Sequence, residues 1–514
     1  MSKLVRLGVV FVAMVSAGTP IALAKTPATP AVLAQASPAP KSKATPNPFS
    51  YGGYIRAYYF TRTNPPGVIN QATYNQAVNL HAAYDFGGHL SVGGTYLYAD
   101  PFNGCGDPAS HYFGTGPCRV KVLPHTGPYP TTWDDTLPGF RLSTLYEAYL
   151  QYKDPALYAK LGDQVINTPW ANSSDGRLKP VAFQGGDLTD TFSKNWNGEI
   201  MYMDRWENRV QSDFVDSTLI TNNGAYPDSP GVGNTGIPRG TVVANNGFGY
   251  GRLGFAAGAL KANLHYYAFN NIANAIWFDG TYGWKAPAKP FLAVQLGSET
   301  ETGSALAGKV DSQIFGIQGG ISPWKNVSFS VGADFIPVKS NTITLPATAA
   351  CMPNGSIAGT LMYWLPAGGT PNCTTVAPGV KGAVATVYYG GWASPYTDAY
   401  ATDPLFTTSI SQGMADRRSP GSSVKLAGTF FTDNKQVRLI ASHAWYVYGS
   451  SGAGLSPTQE TDVDVTYFFS KVGTGAYHGW SIRHRYAERS QAHTALFGGF
   501  PDFKYNRTQL EYDF

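Results

Sequence analysis

Past its first two dozen residues the chain has no run of eighteen apolar residues, so it lacks the roughly 20-residue helices that cross a bilayer. Charge is also scarce, at 14% of residues, and almost balanced. Removal of Lys3 and Arg6 with a leader would lower 37 basic residues to 35, against 33 acidic ones. A nucleic-acid partner would need a clear basic excess, so none is expected. The four cysteines have no Cys-x-x-Cys spacing and no histidine cluster beside them, which argues against a metal centre. There is no Gly-rich Lys-Ser/Thr phosphate loop, which excludes nucleotide-driven transport, and no G-x-S-x-G elbow of a hydrolase. Neither a cofactor nor catalysis is expected.

Aromatics and glycine are abundant, with 32 Tyr, 27 Phe, 11 Trp and 58 Gly in 514 residues. That composition favours strands over helices. A soluble chain of this length would normally divide into several domains, yet no boundary is visible after residue 49. The opening MSKLVRLGVVFVAMVSAGTPIALAK sets Lys3 and Arg6 before a short apolar run and the triplet Ala22, Leu23, Ala24. Residues 1–24 therefore read as a secretory signal peptide, 25–48 as a disordered Pro/Ala-rich lead-in, and 49–514 as a single β-domain. In an exported chain, Cys105 with Cys118 and Cys351 with Cys373 are candidate loop-stapling disulfides, each stabilising by about 3 kcal/mol through loop-closure entropy.

Alternating segments of about ten residues between turn signals are the mark of a transmembrane barrel. They begin at Tyr51, Tyr74, His89, Leu142, Leu157, Phe183, Glu199, Gly247, Ala262, Asn274, Pro290, Lys309, Val327, Ser422, Val437, Thr458, Trp480 and Phe503. The expectation is an all-β, 18-stranded antiparallel transmembrane β-barrel, an even number that returns both ends to one side. Short turns at 85–88, 153–156, 193–197, 258–261, 323–326 and 433–436 alternate with long outer segments at 100–141, 165–182, 207–246 and 338–421. The strand-like ATVYYGGW inside the last of these leaves a count of 20 open. In NRTQLEYDF, Thr508, Leu510, Tyr512 and Phe514 share one side and Arg507, Gln509, Glu511 and Asp513 the other. A closed barrel suits this pattern, because its last strand pairs with its first and no backbone group is left unpaired in lipid.

The same parity turns Arg56, Lys425, Arg438, Arg483, Arg485 and Arg507 inward as a basic stripe on neighbouring strands. An inward position is expected for any barrel, since Arg or Lys at mid-membrane on the lipid face costs about 2–4 kcal/mol. Clustering needs a further reason. Guidance of an anionic solute competes with local neutralisation by Asp462 and Asp464, which face inward one strand away. His443 and His484 fall on the lipid side, which calls for an interface position or a register shift there. Ser442 beside His443 is no hydrolase pair, because alternation sends the two to opposite faces.

A barrel of this width is not filled by its own wall, so an obstruction is needed for selectivity. The segment LGDQVINTPWANSSDGRLKPVAFQG, with Pro169 and Pro180 as breakers, is the best candidate. Its N-T-P-x-A-N-S-S-D-x-R pattern, with DPLFTTSISQGMADRRSPGSSVKLAGTFF at 403–431 and the aromatic final residue, resembles the OprD-type outer-membrane porin family over 49–514. The resemblance implies a third outer loop folded inward and a ladder of basic residues drawing carboxylate-bearing solutes through a constriction. Arg483, Arg485 and Arg56 match the family's basic positions, and Asn172, Ser173, Ser174, Asp175 and Arg177 lie in the matching loop. Asp163, Asp175 and Asp187 could supply an opposing acidic face.

The function expected is passive, substrate-selective diffusion of small carboxylate-bearing solutes, such as amino acids or aromatic acids, across a Gram-negative-type outer membrane. The partners are the solutes, outer-membrane lipid and the barrel-assembly machinery, which reads an aromatic C-terminus; the chain is expected as a monomer, with a loose trimer left open. Two rivals are a plugged barrel acting through its outer loops as adhesin or receptor, and a barrel hydrolase.

Overall fold

The structure, a computed structural model, describes residues 47–63, 71–100, 112–113, 120–121, 141–175, 177–209, 211–223, 241–307, 310–344, 356–357, 360–364, 384–397, 402–415, 420–448, 458–470, 479–490 and 502–514. The signal segment, the lead-in up to residue 46 and all four cysteines lie outside these residues.

One 18-stranded antiparallel sheet dominates. Its strands are β1 (Phe49–Thr63), β2 (Gln71–Gly87), β3 (Leu90–Asp100), β4 (Leu142–Lys153), β5 (Leu157–Gln164) and β6 (Ala182–Asp190). They continue as β7 (Trp196–Glu207), β8 (Phe248–Ala257), β9 (Leu260–Phe269), β10 (Ala273–Gly283), β11 (Phe291–Glu301) and β12 (Asp311–Trp324). The last third is β13 (Val327–Ile336), β14 (Gly421–Phe431), β15 (Val437–Tyr448), β16 (Thr458–Phe468), β17 (Trp480–Ser490) and β18 (Phe503–Asp513). All the expected strands are present, the widest differences in start being Tyr74 against Gln71 and Glu199 against Trp196. The count of 20 is not realised. Val384–Tyr389, from ATVYYGGW, pairs instead with Lys339–Thr344 and Thr360–Trp364 in a separate four-stranded sheet.

β1 pairs with both β2 and β18, so the ring has no free edge. Ile55 stands opposite Tyr512, Arg56 opposite Glu511 and Ala57 opposite Leu510, which puts apolar beside apolar and charge beside charge. Alternation decides the two surfaces. On β14, Val424 and Leu426 are 41% and 49% exposed while Ser423 is 3% exposed. A water-soluble sheet would not present such a row outward, and hydrocarbon would accept it.

A set of exposed aromatics gathers at the short-turn end. Tyr51, Phe86, Trp196, Trp284, Trp324 and Phe469 are exposed there, with ring pairs such as Tyr84–Phe86 and Trp480–Tyr512. This is an interfacial girdle, where amphipathic rings sit at the headgroups. No register shift accompanies His443 or His484: both lie on the outer side, each hydrogen-bonded across one strand, to Thr461 Oγ1 at 2.7 Å and Thr508 Oγ1 at 2.9 Å.

The packed core lies inside the ring. One cluster joins wall residues Phe183, Met203 and Trp277 to Trp170, Trp392 and Tyr396 from the connecting segments. A second joins Tyr58, Phe60 and Tyr505 to Leu178 and Ile410. The interior is therefore occupied by inward-folded chain, which narrows a ring too wide to fill itself.

Candidate functional site

Between β5 and β6 the chain turns into the ring. A two-residue hairpin, Asn167–Thr168 against Ala171–Asn172, surrounds Pro169 and Trp170, and Trp170 is fully buried against Trp277 and Trp392. Asn172 accepts from Ser174 N at 2.9 Å and donates to Thr402 O at 2.7 Å, while Ser173 donates to Asn167 Oδ1 at 2.8 Å. Ser174 has φ 61°, the left-handed turn that aims Asp175 at the opposite wall. The small polar residues between the two prolines thus serve the turn, and the three charged ones, Asp175, Arg177 and Lys179, serve the wall, Lys179 lying 2.9 Å from Glu207.

Asp175 reaches the basic stripe directly. Its Oδ2 lies 2.5 Å from Arg507 Nη1 and 3.3 Å from Arg485 Nη1, and its Oδ1 lies 3.3 Å from Arg177 Nε. Burial alone would raise this carboxyl, but Arg507, Arg177, Arg485 and Arg209 together hold it well below the ordinary carboxylate range. The Arg177 backbone carbonyl accepts from Arg56, which also pairs with Glu511, and Tyr54 Oη donates to Leu178 O at 2.5 Å. Both strands that close the barrel hold this loop.

A second acidic hub lies on the same wall, where Asp464 stands opposite Arg485 in the β16–β17 ladder. Asp464 on β16 lies 2.5 Å from Arg483, 3.0 Å from Arg485 and 3.9 Å from Arg438, and Arg438 also donates to Thr466 Oγ1 at 2.9 Å. The structure therefore gathers Arg56, Arg438, Arg483, Arg485 and Arg507 through Glu511, Asp464 and Asp175. Lys425 stands apart, bonded to Thr408 O at 2.5 Å. Five arginines thus share three bridging carboxylates, with Asp462 and Glu460 also facing inward on β16. Among the arginine side chains Arg483 is 15% exposed and Arg485 11%, against 2% for Arg507.

The opposing acidic face differs from expectation. Asp175 belongs to the basic cluster itself. Asp163 follows the 64% exposed Leu161 by two residues on β5, on the outer side, where Gln184 donates to it at 2.8 Å. Asp187 does face inward, opposite Lys160 in the pairing of β5 with β6. Lys160 lies 3.3 Å from Glu147 and Arg252 lies 2.5 Å from Glu199, so that wall is mixed rather than acidic. Alternation counted along β5 alone would have placed Asp163 correctly.

Sequence reasoning also missed a second inward segment. Between β13 and β14, residues 390–397 and 402–415 line the interior. Ala393 N donates to Glu299 Oε2 at 2.7 Å, Thr407 Oγ1 to Asp334 Oδ2 at 2.6 Å, and Ser411 N to Glu460 Oε1 at 2.7 Å. Tyr446 Oη donates to Thr407 O at 2.5 Å and clamps the same turn. Buried Leu405, Ile410 and Met414, set among small polar residues, were the available signal. Ser442 faces inward and donates to Asp462 Oδ2 at 3.0 Å while His443 points outward, so they form no catalytic pair.

No family model matches the sequence, and no curated protein matches it. Solved structures do. Acinetobacter baumannii OccAB3 is 13% identical, with a TM-score of 0.62, 91% of this chain covered and 99% of that one. Pseudomonas aeruginosa OpdK, solved with vanillate, is 12% identical with a TM-score of 0.60, covering 91% and 98%. A BenF-like porin from Pseudomonas fluorescens Pf-5 is 14% identical with a TM-score of 0.60, covering 90% and 98%. The fold is that of the OprD-type porins. An OprD-type barrel with a lipid-facing band and an aromatic girdle is an outer-membrane architecture of the Gram-negative type.

Proposed function

We propose that the chain is a substrate-selective outer-membrane porin that passes small carboxylate-bearing solutes by passive diffusion. The observation that carries this reading is the convergence of Arg485 and Arg507 on one carboxylate, Asp175, at 3.3 Å and 2.5 Å inside the ring. Guanidinium pairs match planar carboxylates through two parallel N–H donors, which favours this anion class over spherical ions. Positive charge on a low-dielectric wall concentrates anions, and several moderate sites let a solute enter without being trapped. Arg483 and Arg485 are the guiding residues nearest the lumen, Arg56, Arg438, Lys425 and Arg507 extend the stripe, and Asn172, Ser173, Ser174, Asp175 and Arg177 form the constriction.

Planar-bilayer recording tests it. The purified barrel should form small channels whose current is blocked by particular carboxylates, and R483A/R485A should weaken that block. Equal block and equal permeation in the double variant would remove the guiding role. The separate four-stranded sheet of the 337–420 segment favours a second reading, in which outer loops bind a partner. A barrel that passes no solute in liposome swelling yet keeps its fold would favour that alternative.

A further inference from the structure

We propose that Asp175 determines specificity as a tethered carboxylate: it fills the guanidinium pocket of Arg485, Arg507 and Arg177, and a solute carboxylate passes by exchanging with it. This rests on the porin reading and says how its selective step works. The Asp175 side chain is 5% exposed, Arg507 2% and Arg177 1%, so the pocket is closed by the protein's own acid. Its geometry is that of a bound solute: one oxygen shared by Arg507 and Arg485, the other facing Arg177.

Exchange follows from the cost of the alternative. Vacating the pocket would leave buried guanidinium groups uncompensated, which is strongly unfavourable. Replacing one carboxylate by another keeps every intermediate paired. A neutral solute cannot compete for the arginines, and chloride offers one centre where a carboxylate offers two oxygens. The displaced Asp175 is not stranded either, because Arg209 stands on the loop side of the same turn, donating to Ser174 Oγ at 2.7 Å. The loop segment that must give way is short: Val181 N donates to Ser173 O at 3.0 Å and closes it at its base.

Two measurements test the exchange. In planar bilayers with potassium chloride or potassium benzoate, D175N should raise chloride conductance by about threefold or more and flatten the preference for benzoate over chloride, because the pocket stays open to any anion. D175E, which keeps the tethered carboxylate, should restore the wild-type pattern. In the unaltered protein, sodium benzoate should speed hydrogen exchange at the Val181 amide about tenfold while benzamide, the neutral isostere, leaves it unchanged. A conducting D175N channel with wild-type chloride conductance and selectivity overturns the exchange and leaves the porin reading standing. So does benzoate that leaves Val181 exchange unchanged. Folded barrels that pass neither ion, wild type and D175N alike, overturn both.

Discussion

The backbones of Gly53 and Phe514 hydrogen-bond to each other in both directions, N to O at 3.1 Å each way. This pair completes the seam between β1 and β18 at the short-turn end. Gly53 has φ +155°, and a Cβ there would meet the Asn79 carbonyl oxygen at 2.0 Å and the Phe514 ring at 3.2 Å. Overlap with backbone cannot be relieved by a rotamer change. Gly53→Ala should therefore strain the seam by about 1–3 kcal/mol, read as a lower unfolding midpoint in urea. An unchanged midpoint would mean that the seam yields elsewhere.

The exposed side of β14 gives a sharper contrast. Leu426, 49% exposed near the middle of the strand, should lie in hydrocarbon. Leu426→Arg should destabilise the barrel in lipid vesicles by about 2–4 kcal/mol. Lys425→Ala, one residue along, removes an inward-facing group bonded to Thr408 O and should cost the ring much less stability than Leu426→Arg. Similar losses for the two variants would show that the inside-outside assignment is wrong on this strand.

Much of this was legible because a barrel strand writes its environment with a period of two. Alternation in VKLAGTF, WSIRHRYAER and NRTQLEYDF fixed strand existence and facing, and the short turns fixed the count. What the local pattern could not carry was contact across the lumen. Asp175 and Arg507 are 332 residues apart in sequence, and nothing near either names the other. Trp392 ends the strand-like ATVYYGGW that left a count of 20 open, whereas it and Tyr396 pack inward against Trp170, Trp277 and Phe248. Asp163 was misassigned for the opposite reason: its charge outweighed a parity that was already visible.

Acid should leave the Asp175 lock intact over a wide range. Its native carboxyl titrates well below the ordinary value of about 3.9. A carboxylate depressed in the native state contributes stability that is complete above the unfolded value and is lost only as pH falls through the native one. Chloride conductance due to this contact should therefore be constant from about pH 7.5 down to about pH 4.5. A midpoint between those limits, absent in D175N, would contradict the close arginine contacts.

The strongest mechanical prediction concerns the second inward segment. Trp392 is fully buried, with ring centroids 4.9 Å from Trp170 and 6.0 Å from Trp277, and Gly297 lies directly beneath. Truncation to alanine should remove about 3–5 kcal/mol of packing. That loss falls on the docking of residues 390–397, because the β10–β11–β12 ladder contains none of them. Trp392→Ala should thus raise single-channel conductance and speed exchange at the Ala393 amide, which donates to Glu299 at 2.7 Å, while the unfolding midpoint of the ring stays close to wild type. Gly297→Val attacks the same contact from the wall, since a Cβ there meets Trp277 and Trp392 each at 2.9 Å. Agreement between the two variants would locate the effect in the tryptophan contact. If instead the ring midpoint falls by the whole packing loss and conductance is unaltered, the segment is part of the wall's stability and does not narrow the path.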